Sequence, residues 1–291
     1  MASGRTETGS LADSLETTIS AARIVRERVG VMTQHVDKVT LGKGIGLSWN
    51  EPALAQLTAQ AVGESDKLDN PQELSDTLFT ITPTVVGIHT FITDRVQVRI
   101  TPKSFAKLGE LAQNAIERKK GQDAVTVLDG ATTSLCGTGT TFASGYITAA
   151  AARIKANTSE SGPDPMVAML HDYQAKDISD EIVGGVGTYP VPNGMTEETW
   201  RNGFQGKVGN VMVYVDQHIT PDSTPDVKGG VYALQGIVMV QGRSPWKETR
   251  REPDIGGGGN SVWVYDEYAF GERSAGNWLI ELLSDATSPT S

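Results

Sequence analysis

The sequence predicts an α+β protein, and three observations carry that expectation. Residues 102–120 hold a strongly patterned helix, residues 78–93 an extended β-branched run, and the C-terminal half mixes short apolar strand segments with helical ones. With 291 residues, 38% of them hydrophobic and 21% charged, the chain can bury one large core or two moderate ones. Its 32 glycines and 6% aromatics suit thin layers joined by many turns.

Residues 1–9 are small and polar, and a helix is expected to follow. Ser10 can cap it, with Asp13 three residues on. Leu11, Leu15, Thr18, Ala22, Val25 and Val29 then make one apolar stripe at alternating spacings of four and three. Asp13 and Glu16 come early and Arg23, Arg26 and Arg28 late, matching the helix dipole, and Gly30 can end the helix. The stripe is weak, so such a helix should pack on another part of the protein or on a neighbour.

Val39-Thr40-Leu41 leads into the glycine-rich residues 42–46, then Trp49 and a polar stretch through Pro71. Beyond it, Thr80, Thr82 and Thr84 alternate with β-branched and aromatic residues through position 93, which reads as strand. Pro83 puts that strand at an edge or bulge. Two arms around a polar tip predict a long projecting hairpin. A hairpin alone is marginally stable in water, so it needs a partner surface.

The helix at 102–120 starts from Thr101 as cap and Pro102 at the first position. Phe105, Leu108, Leu111, Ala112, Ala115 and Ile116 form its stripe, Lys119 and Lys120 its last turn, and Gly121 its expected stop. That is a rod of about 28 Å. An alanine-rich helix is predicted from about residue 140 to 155. A buried strand at 166–170, a helix at 172–182 and strands at 211–215 and 262–265 follow; 231–240 could be strand or helix. Residues 256–259 are a glycine loop, and the tail from 285 is polar.

The formal charge of −10 and pI near 4.9 argue against nucleic-acid binding as the main task, since that affinity comes from Lys and Arg displacing counterions. An acidic lining suits a container whose contents must not stick to its wall. Cys136 is the one cysteine, which rules out an intrachain disulfide and a cysteine zinc cluster. His35, His89, His171 and His218 have no ligand spacing, so no metal site and no cofactor are expected. Residues 42–46 lack the Gly-x-x-x-x-Gly-Lys-Ser/Thr spacing, and Trp49 stands where a dinucleotide fingerprint needs Gly or Ala. Cys136 has no histidine near it in sequence and reads as packing. His171-Asp172 reads as a strand end followed by a helix cap, and Arg250-Arg251-Glu252 and Asp266-Glu267 as salt-bridging groups. No Gly-x-Ser-x-Gly elbow occurs, and no catalytic residue is predicted. With no apolar leader and no run of about 20 apolar residues, the chain is expected in the cytoplasm where it is made, away from membranes.

Several segments resemble a tailed-bacteriophage major capsid (coat) family. They are Leu128-Asp129-Gly130-Ala131-Thr132-Thr133-Ser134-Leu135 with the alanine-rich helix after it, and Val167-Ala168-Met169-Leu170-His171-Asp172-Tyr173-Gln174. Trp200-Arg201-Asn202-Gly203 to Tyr214-Val215-Asp216, and Gly271-Glu272-Arg273 to residue 286, are similar too. The family often has proline at the position of Asp172, a departure that touches one local turn. By segment order the resemblance covers roughly residues 35–286.

It implies the Hong Kong 97-type capsid fold: an N-terminal arm over 1–35, an E-loop hairpin with its flanking strands over 36–95, and a P domain with spine helix over 96–134. Residues 135–230 would be mainly an A domain, and 231–291 would return to the P domain and end in a tail. The implied function is self-assembly, as pentamers and hexamers, into an icosahedral shell enclosing phage DNA without sequence-specific binding. Portal, scaffold and decoration proteins are implied as further partners, and the virion as the final location after assembly in a bacterial host. Trp49, Phe79, Ile81 and Phe91 are the candidate inter-subunit contacts, as apolar residues of the hairpin arms and their flank. An encapsulin-type nanocompartment is the nearest alternative, against which the charged segment 1–35 counts modestly. A β-rich enzyme or binding domain has no motif behind it, and a phage tail or decoration protein, whose particles would be tubes or trimers, is a third option.

Overall fold

The computed structural model describes residues 5–6, 27–28, 30–64, 71–99, 102–184, 206–254, 257–274 and 276–289. The helix expected over residues 10–29 lies almost wholly outside them, as do residues 200–205 of the Trp200 segment.

The strands are β1 (Arg5–Thr6), β2 (Asp37–Thr40), β3 (Trp49–Leu54), β4 (Asp76–Ile81), β5 (Thr84–Thr93), β6 (Ser134–Cys136), β7 (Met166–Leu170), β8 (Gly206–Val208), β9 (Val211–Val215), β10 (Asp226–Ala233), β11 (Ile237–Glu252), β12 (Gly259–Glu272) and β13 (Leu279–Asp285). The helices are α1 (Asp94–Arg99), α2 (Pro102–Asp129), α3 (Ser144–Lys155) and α4 (Asp172–Gly184). One sheet has the order β1-β5-β12-β11-β2, a second the order β6-β13-β10-β7-β9-β8, and β3 pairs with β4 alone.

The six-stranded sheet is covered on both faces, as the unbroken apolar run of β7 requires. Val167 and Met169 pack toward Ala124, Val125 and Leu128 of α2. Their neighbours Met166, Ala168 and Leu170 pack toward Ile147, Ala150 and Ile154 of α3 and Ile178 of α4. The open choice at 231–240 resolves as strand, a short 3₁₀ turn at Leu234–Gly236, and strand again. Here the chain leaves the second sheet for the first. It returns between β12 and β13, close alongside: Arg273 N–H donates to Gly236 O (2.8 Å) and Ala233 N–H to Trp278 O (3.0 Å).

Three expectations need correction. Residues 78–93 are two strands, because Pro83 lacks the N–H that would continue either ladder; β4 belongs to the hairpin and β5 to the five-stranded sheet. The alanine-rich helix starts at Ser144, four residues late. The helix of 102–120 runs 28 residues to Asp129, about 42 Å, straight through Gly121. Its buried face is Ala112, Ile116, Lys120, Ala124 and Leu128, with Leu111 left exposed.

Gly121 is a close-approach residue, not a stop. A Cβ there would sit 2.2 Å from His218 Nδ1, and one at Gly30 would meet the same ring atom at 2.2 Å. The imidazole is thus wedged between the spine helix and the segment entering from the N-terminus. Beside it, the buried Asp216 carboxylate accepts from Val31 N–H (2.7 Å), Met32 N–H (2.8 Å) and His218 N–H (2.8 Å). Alanine normally improves a helix over glycine by about 0.8–1 kcal/mol. Gly121→Ala should nevertheless lower stability by about 1–3 kcal/mol through overpacking. Gly109→Ala, in open space on the same helix, should raise it. Urea unfolding of the two variants checks the opposed signs.

Candidate assembly surface

The hairpin of β3 and β4 is in register Trp49↔Ile81, Glu51↔Phe79 and Ala53↔Thr77 on one face. The other face carries Asn50↔Thr80, Pro52↔Leu78 and Leu54↔Asp76. The first face turns inward. Ile81 packs with Val238 and Val240 of β11, joined by Trp49, Phe79, Val39 and Leu41. The fit is close: a Cβ on Gly271 would lie 2.8 Å from Ile81 Cδ1 and 3.2 Å from Phe79 Cζ. Trp49 and Phe79 meet edge to face at 5.9 Å.

Arg273 locks this root. Its Nε donates to Glu51 Oε2 (2.7 Å), Nη2 to Asp37 Oδ2 (2.8 Å) and Nη1 to Gln235 O (2.6 Å), and its guanidinium lies over the Trp49 ring. One planar fork therefore ties β2, β3 and the 3₁₀ turn together, which an ammonium cannot reproduce. Arg273→Lys should lower stability by about 1–3 kcal/mol and raise several-fold the rate at which protease cuts residues 55–75. An unchanged cutting rate would mean the apolar root holds the hairpin unaided.

Beyond the root the arms bond mainly to each other. Ala55 N–H donates to Ser75 O (2.9 Å) and Thr58 N–H to Gln72 Oε1 (2.8 Å), while Gln56 Nε2 donates outward to Ser159 O (2.9 Å). This is where apolar surface is left in water. Of the twelve exposed large apolar side chains among the described residues, eight lie between positions 45 and 85. Leu54 is 72% exposed and Leu78 61%, on the hairpin's outer face, with Leu57 and Leu74 near the tip also exposed. Such clustering marks an interaction surface.

Of the contact residues expected from sequence, Ile81 (5% exposed) and Phe91 (3%) are buried inside their own chain. Phe91 lies in β5 paired with Ser261, so close to β12 that a Cβ on Gly259 would meet its ring at 2.6 Å. Trp49 and Phe79 are half-buried at the root. Leu54 and Leu78 lie on the hairpin's other face, where they stand opposite Asp76 and Pro52 across the strand pair, so no apolar pattern marks that face in the sequence.

The groups with a chemical look have structural positions. Burial pushes the Cys136 thiol up from its ordinary pKa, against hydrogen bonds from Tyr146 and Gly137 that pull it down, so the thiolate is disfavoured. His171 ends β7 and its Nδ1 accepts from Tyr173 N–H (3.1 Å), capping α4. Burial lowers the His171 pKa, opposed by Asp172 and assisted by Arg28. A histidine held neutral stabilises the fold above its unfolded pKa of about 6.5 and loses that contribution as pH falls toward its folded value. His171→Asn, a cap that does not titrate, should flatten the loss of urea midpoint between about pH 7 and 5; equal slopes would assign the loss to other groups. Among the described residues no group of three or more His, Cys, Asp or Glu side chains is placed to hold a metal ion.

The two sheets, the spine helix and the rooted hairpin define the class of fold: it is that of phage capsid proteins, of Hong Kong 97 type. The capsid structure of the cyanophage P-SCSP1u is similar with a TM-score of 0.69 at 13% identity, covering 97% of this chain and 96% of that one. The capsid of Ralstonia phage GP4 gives 0.69 at 11% identity over 94% and 96%. The acidic stable capsid structure of Helicobacter pylori bacteriophage KHP30 gives 0.67 at 12% over 95% and 97%. No protein-family model matches the sequence, and no curated protein matches it.

Proposed function

We propose that this chain is a tailed-phage major capsid protein that assembles, as pentamers and hexamers, into an icosahedral head shell around genomic DNA. The observation that carries the reading is the likeness to phage capsids over nearly the whole of both chains. The exposed apolar face of the hairpin supports it, because a second copy of the chain is the partner such a self-assembling fold requires. Leu54 and Leu78 are the central contacts in this reading, with the accessible edges of Trp49 and Phe79 at the root. Many such contacts, each weak, sum once neighbours are fixed in place, and closed symmetry prevents open-ended growth.

In this reading 1–35 is the N-terminal arm, 36–95 the E-loop and its flanks, 96–134 the P domain with its spine helix, 135–230 mainly the A domain, and 231–291 the return to the P domain and the tail. The DNA is enclosed without sequence-specific contact, consistent with a net charge of −10. Portal, scaffold and decoration proteins are the further partners; the virion is the destination and the bacterial cytoplasm the place of assembly.

The test is expression of the full chain alone, with negative-stain microscopy beside light scattering. Closed shells, capsomer rings or curved sheets support the reading. Shells loaded with one host enzyme point to a nanocompartment instead. A monodisperse monomer or dimer, unchanged by concentration, crowding or salt, overturns it.

A further inference from the structure

The five-stranded sheet has two edges, and its own chain covers each only in part. On one side β2 pairs with residues 238–241 of β11; on the other β1 pairs with Phe91 and Ile92 of β5. Among the described residues no strand pairs with the rest of either edge. The two free stretches are built differently. That of β11 carries the devices that keep an edge from adding strands: exposed Arg243, Lys247, Glu248 and Arg250, Pro245 without an N–H, and two register shifts between Gln241 and Trp246. That of β5 carries none of them. Residues 84–90 read Thr-Val-Val-Gly-Ile-His-Thr, free of Pro, Asp, Glu, Lys and Arg, and they hold an unbroken register against β12. Val85 is 58% exposed, and Thr84, Gly87 and His89 are exposed beside it. At Gly87 it is the backbone itself that water reaches. The strand is braced from the β12 side, since a Cβ on Gly87 would meet the Tyr265 ring at 2.5 Å and His89 stacks on Trp263 at 4.7 Å.

We propose that residues 84–90 pair antiparallel with the same residues of a second copy, across a two-fold axis at Gly87, so that two five-stranded sheets join edge to edge. The limits of the free stretch set the register. Pro83 lacks the N–H that would extend the ladder at one end, and β1 occupies the edge at the other. The longest antiparallel match of this stretch with itself is therefore centred on Gly87. It sets Thr84 opposite Thr90, Val85 opposite His89 and Val86 opposite Ile88. No like charges meet, and most of the opposed residues are β-branched, the kind that pairs well across strands. Such self-complementarity is what an isologous contact requires. The β11 edge fails that test, because its charges and bulges oppose any added strand. The surface is distinct from the outer hairpin face, and the choice of a second copy as occupant rests on the self-assembly reading above.

Disulfide trapping in the full chain tests it, in a Cys136→Ser background. Val85→Cys/His89→Cys and Thr84→Cys/Thr90→Cys each set cysteines opposite one another across the axis. Opposed sites alternate between hydrogen-bonded and non-hydrogen-bonded along an antiparallel pair. One of the two designs therefore falls at the closer spacing of about 4.5 Å between Cα atoms, within disulfide reach. The second design also leaves the His89 stack intact. After mild oxidation, non-reducing electrophoresis and peptide mass spectrometry should find an interchain link, 85 to 89 or 84 to 90, from at least one double variant. Its yield should be at least several-fold above that of Val85→Cys or Thr84→Cys alone. No interchain link from either double variant overturns the proposal, as does an equal yield from the single variants. Microscopy of the same samples separates the two readings. Shells without the link remove this contact and leave the shell reading standing, while linked pairs without shells do the reverse.

Discussion

Asp266→Leu is expected to be among the most destabilising single substitutions in this chain, costing about 3–5 kcal/mol, because it strands a buried ammonium. Lys120 Nζ lies 2.5 Å from Asp266 Oδ2, and the two side chains are 9% and 0% exposed. The other Asp266 oxygen accepts from Glu267 N–H (2.9 Å) and from the Gln241 amide, so the carboxylate is surrounded. The ammonium also lies 5.1 Å from the centre of the Tyr268 ring, and Tyr268 donates its hydroxyl to Asp123 at 2.9 Å. Burial and the neighbouring carboxylates push the Tyr268 pKa up, keeping that donor protonated. Spine helix and β12 are thus joined by two adjacent polar contacts. Lys120→Met/Asp266→Leu removes both charges at once and should recover much of the loss, since apolar pairs of similar size replace buried ion pairs at little cost. Urea unfolding of the single and double variants decides it. A single-variant cost under about 1 kcal/mol would mean the pair is hydrated and weak.

Leu54→Asp/Leu78→Asp should abolish assembly while leaving the subunit folded. Both side chains are more than half exposed on the outer hairpin face, so the isolated chain should change by no more than about 0.5 kcal/mol. At a contact with a second copy each leucine is worth about 1.5–3 kcal/mol of burial, and a closed shell repeats that loss in every subunit. Sedimentation should show subunits or small capsomers in place of shells, with circular dichroism and urea midpoint unchanged. Normal shells from this variant would remove the outer hairpin face from the interface. The contrast with Asp266→Leu separates folding from assembly, because one variant changes stability and the other changes only what the stable subunit does.

Much of the fold is legible from period and punctuation. The helices expected from 102 and 172 begin at Pro102 and Asp172, and the strands at 166–170 and 211–215 match their apolar runs. What local pattern misreads is set by distant partners. Gly121 looks like a stop because its real reason, the His218 ring, comes from a distant part of the chain. Lys120 looks like a charge near a helix end because Asp266, which makes it a buried mid-helix residue, is equally distant. The hairpin shows the same limit. Alternation identifies two faces, but only the position of β11 and Gly271 decides which one packs on its own chain. The three-residue strands β6 and β8 are too short to leave any periodicity.

The double passage between the sheets has a mechanical meaning. A force that pulls the five-stranded sheet away from the six-stranded one is shared by the connection from β5 through α1 and α2 to β6 and by two further covalent connections running side by side, β10 into β11 and β12 into β13. These connections are stitched to each other by the bonds at Gly236 and Trp278, so neither can lengthen without loading the other. The junction therefore behaves as a doubled cable rather than a linker.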